Sequence, residues 1–513
     1  MRIGKVIHYG MLALLLLGSK CTASNEQPLD AQLRRVLQRA GFTGRIESTL
    51  ESRLGRSVNP ALAELGRLLF FDKAGAVHKD NMCAGCHAPS NGMGDSQTMA
   101  IGIQNNDIVG PNRTGPRNQR RTPSIVNTVF YPKLMWNGRF ASASGNPFDT
   151  SRGFVFPPPE GTTEFPANDP RIPNLASAQG QMPPTELTEV AGFTGTTGKF
   201  DTASGLWWVD PSFWAFDDGK GDPLPPPVLY SDPTTTFLTF NDPIRRFLLA
   251  NRLNDNPTYI RLFRAVFPTE MAANGGKIDF SMFGRAIAEF EFSMVFANAP
   301  IDQFARGDVN ALDTSEKRGA LLFFGKAKCV ACHAVTGASN EMFSDFRNRV
   351  IGVPQVSPLF GPGLGNVHFD GAGNNEDFGL EQVSGNSDDR YKFRTAPLRN
   401  LAVAAGFFHN GAFARLDDAI AFHLDPKAYA PSYDPTRAGL DPDLTFSLGP
   451  IEPVLDRIDP LMRPVHLTPT EFKDLVHFIR DGLLDVRATK TCSTIPASVP
   501  SGLALPQFQG CNN

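Results

Sequence analysis

Cys83-Ala84-Gly85-Cys86-His87 and Cys329-Val330-Ala331-Cys332-His333 share one arrangement, two cysteines three positions apart with a histidine directly after them. Thiols at this spacing reach the two vinyl groups of one porphyrin, and the following imidazole falls beneath the iron. The spacing predicts two covalently bound haem c groups, with His87 and His333 as proximal ligands. The competing uses of Cys-x-x-Cys are a zinc site built from four thiolates and a redox dithiol. Neither calls for a histidine directly after both pairs. What occupies the far side of each iron decides between electron transfer and catalysis. The distal candidates are His78, His368, His409, His423, His466 and His477, with the methionines and tyrosines. Spacing alone does not choose among them.

Elements must deliver these residues. Residues 28–72 carry apolar side chains at helical spacing in Leu33, Val36 and Leu37, then Leu62, Leu65, Leu68 and Leu69, so a helix is expected to lead into the first motif. The second motif is approached through Ser315–Phe324. "LGRLLFF" at 65–71 and "RGALLFF" at 318–324 are alike enough to predict an internal duplication of a cytochrome-type unit. Residues 243–265 and 279–297 read as amphipathic helices, and Thr468-Pro469-Thr470-Glu471 starts a helix over 469–484. The stretch 141–240 differs, with Pro157-Pro158-Pro159, Pro183-Pro184, Pro225-Pro226-Pro227, many glycines, and Trp207, Trp208 and Trp214. Proline on this scale resists long helices, and a hundred residues of free loop do not fit a compact domain. It is expected to be an irregular, packed insertion over the first haem. Residues 336–392 are loop-like.

The expected organisation is a signal peptide over 1–23, an N-terminal haem domain over 24–310, a C-terminal haem domain over 311–490 and a tail over 491–513. The fold class is mainly α, two cytochrome c-like haem domains with the long Pro/Gly-rich insertion. Arg2 and Lys5, the apolar run Met11–Leu17 and the small residues ending at Ala23 read as an export signal. The run is too short to span a membrane. A lipid anchor on Cys21 is the rival reading, and Lys20 is a poor neighbour for that processing. Removing Cys21 from the seven cysteines leaves six, of which four serve the haem motifs. Cys492 and Cys511 are expected to form a disulfide that pins the tail in an oxidising periplasm. A formal charge of −3 on 513 residues gives no reason to expect nucleic acid as a partner.

From Leu65 to Arg139, and from Pro243 to Leu484, the chain resembles the bacterial di-haem cytochrome c peroxidase/MauG family. The stretches carrying the resemblance are "LGRLLFFDKAGAVHKDNMCAGCHAPSNGMGD", "RRTPSIVNTVFYPKLMWNGR", "NPTYIRLFRAVFP", "RGALLFFGKAKCVACHA", "KFRTAPLRNLAVAAGFFHNGAFARLDDAIAFHL" and "LTPTEFKDLVHFI". In the family's peroxidases a histidine 16 residues after the first proximal histidine caps the resting N-terminal haem. Counting from His87 gives Ile103, which cannot ligate iron. The resemblance therefore implies an open first haem, unless a shifted loop brings His78 or Met99 to it. The family's distal ligand on the second haem lies 14 residues after the histidine that matches His409, which is His423. Peroxidases have methionine there and MauG has tyrosine, so histidine implies a bis-histidine, electron-transferring haem of lower potential.

The family's inter-haem tryptophan matches Trp136 in Trp136-Asn137-Gly138-Arg139, where an indole can relay electrons and Arg139 can orient a haem propionate. The acid–base glutamate that peroxide chemistry requires matches Glu186, with Glu189 close by. The family's calcium site matches Arg121, Ala404 and Gly406, and Arg121 puts a cation where a ligand belongs, so calcium is uncertain. The implied activity is reduction of hydrogen peroxide, with a small periplasmic cytochrome c or cupredoxin as donor and room for a homodimer. The alternatives are MauG-like or rubber-oxygenase-like (RoxA-like) oxidation of a protein or organic substrate, and a non-catalytic di-haem electron carrier.

Overall fold

In the computed structural model the described residues are 28–157, 164–191, 199–201, 206–208, 228–232, 235–239, 241–358, 369–373, 375–445 and 448–511. The export signal, Cys21, Trp214, Pro225–Pro227 and His368 lie outside them. The chain is mainly helical, and its strands are short.

The two motif-bearing halves repeat one packing scheme. Asn59 caps the helix Pro60–Phe70 by accepting from the Ala61 and Leu62 amides, and Asp313 and Glu316 form a reciprocal cap on Thr314–Phe324. In each helix the glycine of the duplicated segment is the crossing point. A Cβ on Gly66 would lie 1.8 Å from Ala286 O, and one on Gly319 would lie 2.0 Å from Asp474 O. The crossing helices are Phe280–Ser293 and Pro469–His477. Equivalent phenylalanines then pack, with tilted or edge-on rings, against the two motif histidines. Phe70 meets Phe290 at 5.1 Å and His87 at 5.9 Å, and Phe323 meets Phe478 at 5.7 Å and His333 at 6.5 Å. The duplication expected from "LGRLLFF" and "RGALLFF" is thus a duplication of contacts.

Core membership does not follow the expected domain boundary. Leu33 and Leu37 of the helix Leu29–Arg39, with Ile301 and Phe304, pack into the core of the second motif around Phe323 and Leu475. Conversely Val499 and Phe508 of the tail pack into the first core around Phe71 and Met82. Each half is completed by a chain end from the other's side of the sequence. The disulfide Cys492–Cys511, with Cα atoms 5.4 Å apart, holds the tail.

Other elements depart from expectation for local reasons. The helix expected over 243–265 is broken, because Asn256 caps a new helix, Pro257–Val266, with proline in its first turn. The late helix runs regularly over Pro469–His477 and continues as a wider π turn, Phe478–Gly482. The start of the insertion region lies in a short sheet. Lys133–Leu134, Phe140–Ser142, Phe154–Val155 and Glu164–Phe165 form a four-stranded antiparallel meander. Phe140, Phe154 and Phe156 pack from it against Leu175 and Met182.

Candidate active site

The second motif ends in a short 3-10 turn, Cys329–Ala331. His333 Nδ1 lies 2.9 Å from Phe343 O, which fixes the proton on Nδ1 and leaves the Nε2 lone pair for a metal. Opposite it stands His423, carried by the helix Leu416–Leu424. The two ring centroids are 6.0 Å apart with planes at 51°. That separation admits one metal centre bonded to a nitrogen of each ring at about 2 Å. Burial lowers both imidazole pKa values, that of His423 to about 3 with His333 adding to the shift. Both imidazoles are therefore neutral at neutral pH, each with a ring lone pair to offer.

A cavity of about 530 Å³ lies here, lined by Cys329, Cys332, His333, His423, Arg121 and Arg394 among others. Arg349 and Arg399, also in its wall, are neutralised by Asp345 and Asp302. Arg121 and Arg394 are different. Arg121 Nε and Arg394 Nη1 are buried with no hydrogen-bond partner among the described residues, and burial lowers Arg394 to about 10. Two facing imidazoles, two thiols and two under-satisfied guanidiniums around an apolar space fit haem, a flat apolar ring with two carboxylates. A bare zinc site does not fit: among the described residues no three His, Cys, Asp or Glu side chains converge on a point. Burial also pushes the Cys83, Cys86 and Cys329 thiols up to about 12, the reverse of an activated dithiol.

At the first motif, the single helical turn Cys83–Cys86 presents His87, whose Nδ1 lies 3.3 Å from Met93 O. Burial lowers its pKa to about 4, so it too is neutral at neutral pH. Ile103 is buried, and its amide donates to Thr188 O at 3.3 Å, placing its loop beside the segment that follows Glu186. Met99 is buried and packs with Phe407, Phe413 and Phe422 of the second half.

Glu186 meets Arg139 at 3.2 Å, with the two side chains 22% and 15% exposed. Burial raises the carboxyl pKa and Arg139 opposes the rise. Arg139, expected at a propionate, is thus engaged with the candidate acid–base group and also lies over the Phe140 ring. Trp136, three residues earlier, lines the cavity of the second motif. Its Nε1 donates to Arg121 O at 2.7 Å, its carbonyl accepts from the Arg394 amide at 2.7 Å, and the Arg121 amide donates to His409 O at 2.8 Å. One tract therefore joins Glu186, Arg139 and Trp136 to the second cavity. The guanidinium of Arg121 packs against Gly406, with Asp95 acting on it from nearby, so a protein cation stands where the resemblance puts calcium. Ala404 lines the same cavity. Arg394 was not legible as a site residue, because its Nε donates to a backbone carbonyl, that of Met135, at 2.9 Å.

The sequence model described as di-haem cytochrome c peroxidase matches residues 60–194 and 230–310. The chain is 26% identical over 384 residues to cytochrome-c peroxidase IdrP1 of Pseudomonas sp. (strain SCT), covering 71% of this chain and 73% of that one. It is 22% identical over 451 residues to the methylamine utilization protein MauG of Methylorubrum extorquens, covering 88% and 82%. A crystal structure of a MauG-like protein associated with microbial copper homeostasis superposes with a TM-score of 0.51 at 20% identity, covering 84% of this chain and 92% of that one. With the duplicated haem motifs, these likenesses place the chain in the di-haem cytochrome c peroxidase/MauG family of oxidoreductases.

Proposed function

We propose that this protein is an exported, periplasmic enzyme that reduces hydrogen peroxide at a haem held by Cys83, Cys86 and His87. Electrons enter through a second haem held by Cys329, Cys332, His333 and His423, from a small cytochrome c or cupredoxin. The observation that carries the reading is the inequality of the two sites. His423 faces His333 at 6.0 Å, whereas the position that matches a capping histidine at the first site is Ile103.

When bound, haem supplies the iron that exchanges electrons and, where a coordination position is free, accepts peroxide. The protein's own groups do the rest. His87 and His333, each with Nδ1 directed at a carbonyl, are held as neutral donors through Nε2. His423 closes the second site to small ligands. Glu186 takes a proton from one peroxide oxygen and returns it to the other, and burial together with Arg139 sets the pH at which its carboxylate is available. Trp136, bonded to the Arg121 carbonyl and placed in the cavity wall, relays electrons between the sites. Two electrons and two protons convert one peroxide to two waters.

A second reading, oxidation of a protein or organic substrate as in MauG, is favoured by the non-methionine residue His423 and by the segment at Thr188 that bonds to the Ile103 loop. Steady-state peroxide consumption with a reduced cytochrome c separates the two. Turnover supports the peroxidase reading, and its absence in a protein that still reacts once with peroxide sinks it.

A further inference from the structure

Arg113 is buried, 4% exposed, and its guanidinium is spent on the loop that crosses the first Cys-x-x-Cys turn. Nε donates to Ile101 O at 2.8 Å and Nη1 to Ile108 O at 2.7 Å. Nη2 donates to Gly102 O at 3.0 Å and to Asn81 Oδ1 at 2.8 Å. Asp80, Asp95 and Asp107 act on it only from beyond hydrogen-bond reach. The group rests on the turn itself. A Cβ on Gly85 would lie 3.1 Å from Arg113 Nη2, and Ile101 O lies 3.4 Å from Cys86 Sγ. The far end of the loop is held separately. Ile108–Val109 pairs in parallel with Gln507–Phe508 of the tail, and Gln509 Oε1 accepts from the Asn112 amide at 2.9 Å.

We propose that Arg113 is a positioning residue of the first haem, fixing the Ile101–Ile108 loop on the Cys83–Cys86 turn and, as a buried cation beside the Cys86 sulfur, raising that haem's reduction potential. One-electron reduction removes one unit of positive charge from the iron, so a fixed cation nearby favours the reduced form. No bond or proton changes at Arg113 itself, and the electron comes from the external donor. The inference rests on haem attachment to Cys83 and Cys86.

The test is a potentiometric titration of the di-haem holoprotein, following each haem by its visible spectrum, in wild type, Arg113→Met and Arg113→Lys. Hydrogen exchange over residues 101–108 is measured beside it. Arg113→Met should lower the ferrous-to-ferric ratio of the first haem about tenfold at fixed ambient potential, which is about 59 mV for a one-electron couple. Arg113→Lys keeps the charge and loses the fan of hydrogen bonds. It should hold the potential near wild type while the loop exchanges faster, and the second haem should not move in either variant. If both variants shift the potential alike, or neither loosens the loop, the proposal is overturned. Should Arg113→Met fail to accumulate, Arg113→Gln, also uncharged, is titrated in its place with the same expected shift. An intact mass lacking haem on the first motif would overturn the underlying attachment, whereas a di-haem mass with an unmoved potential in the uncharged variant overturns only the role of Arg113.

Discussion

Replacing Arg139 by glutamine should move the acid limb of the peroxide reaction to higher pH. Glu186 must be ionised to take the first proton, so activity is present above its pKa and lost as pH falls through it. Burial raises that pKa, and Arg139 at 3.2 Å pulls it back down. Two unit charges about 4 Å apart interact by about 1 kcal/mol in water and about 4 kcal/mol at an effective dielectric constant of about 20. Side chains 22% and 15% exposed lie between these limits. At about 1.4 kcal/mol per pKa unit, the R139Q limb should rise by about 1–3 pH units, the range seen for a carboxylate beside arginine. The assay is kcat/KM for hydrogen peroxide against pH with a reduced cytochrome c, with both haem spectra confirming that each site is intact. Glu186→Gln should lose about 10²–10⁴ in kcat/KM and show no such limb. An acid limb unmoved in R139Q, or an E186Q enzyme close to wild type, would refute the assignment.

Trp136→Phe removes the indole donor to Arg121 O. It should slow oxidation of the second haem after peroxide reaches the first, measured by stopped flow, with both resting spectra kept; an unchanged rate would exclude the relay. Gly319→Ala puts a methyl group where Asp474 O stands 2.0 Å away, so it should destabilise by about 1–3 kcal/mol, read from the denaturation midpoint with Gly66→Ala as the equivalent test in the first half. The C492S/C511S pair opens a loop of sequence separation 19 and should lower stability by about 3 kcal/mol, checked by denaturant unfolding with and without reductant.

The features legible in the sequence are those that repeat or that obey a spacing. The two motifs, the duplicated helices and the Thr468–Glu471 cap all have local signatures, because their partners lie within one or two helical turns. The break at Asn256-Pro257 was also written there, as a capping residue before a first-turn proline, though the apolar periodicity of 243–265 runs across it. Other features are products of long-range packing. The exchange of chain ends, with Leu33 serving the second core and Phe508 the first, reflects which apolar face each element leaves uncovered, and no spacing announces that. Arg113 bonds to backbone carbonyls and the Asn81 amide, groups common to loops of any sequence. His423 became a specific candidate only through the count from His409. Its approach to His333 depends on how the helix Leu416–Leu424 seats against the second core.

The inequality of the two haem sites is tested most directly by the EPR spectrum of the resting ferric protein, recorded beside that of His423→Ala. One low-spin signal of bis-histidine type and one high-spin signal are expected, with the low-spin signal alone lost in the variant. Two low-spin haems at rest, or a low-spin signal that survives the loss of His423, would contradict the account.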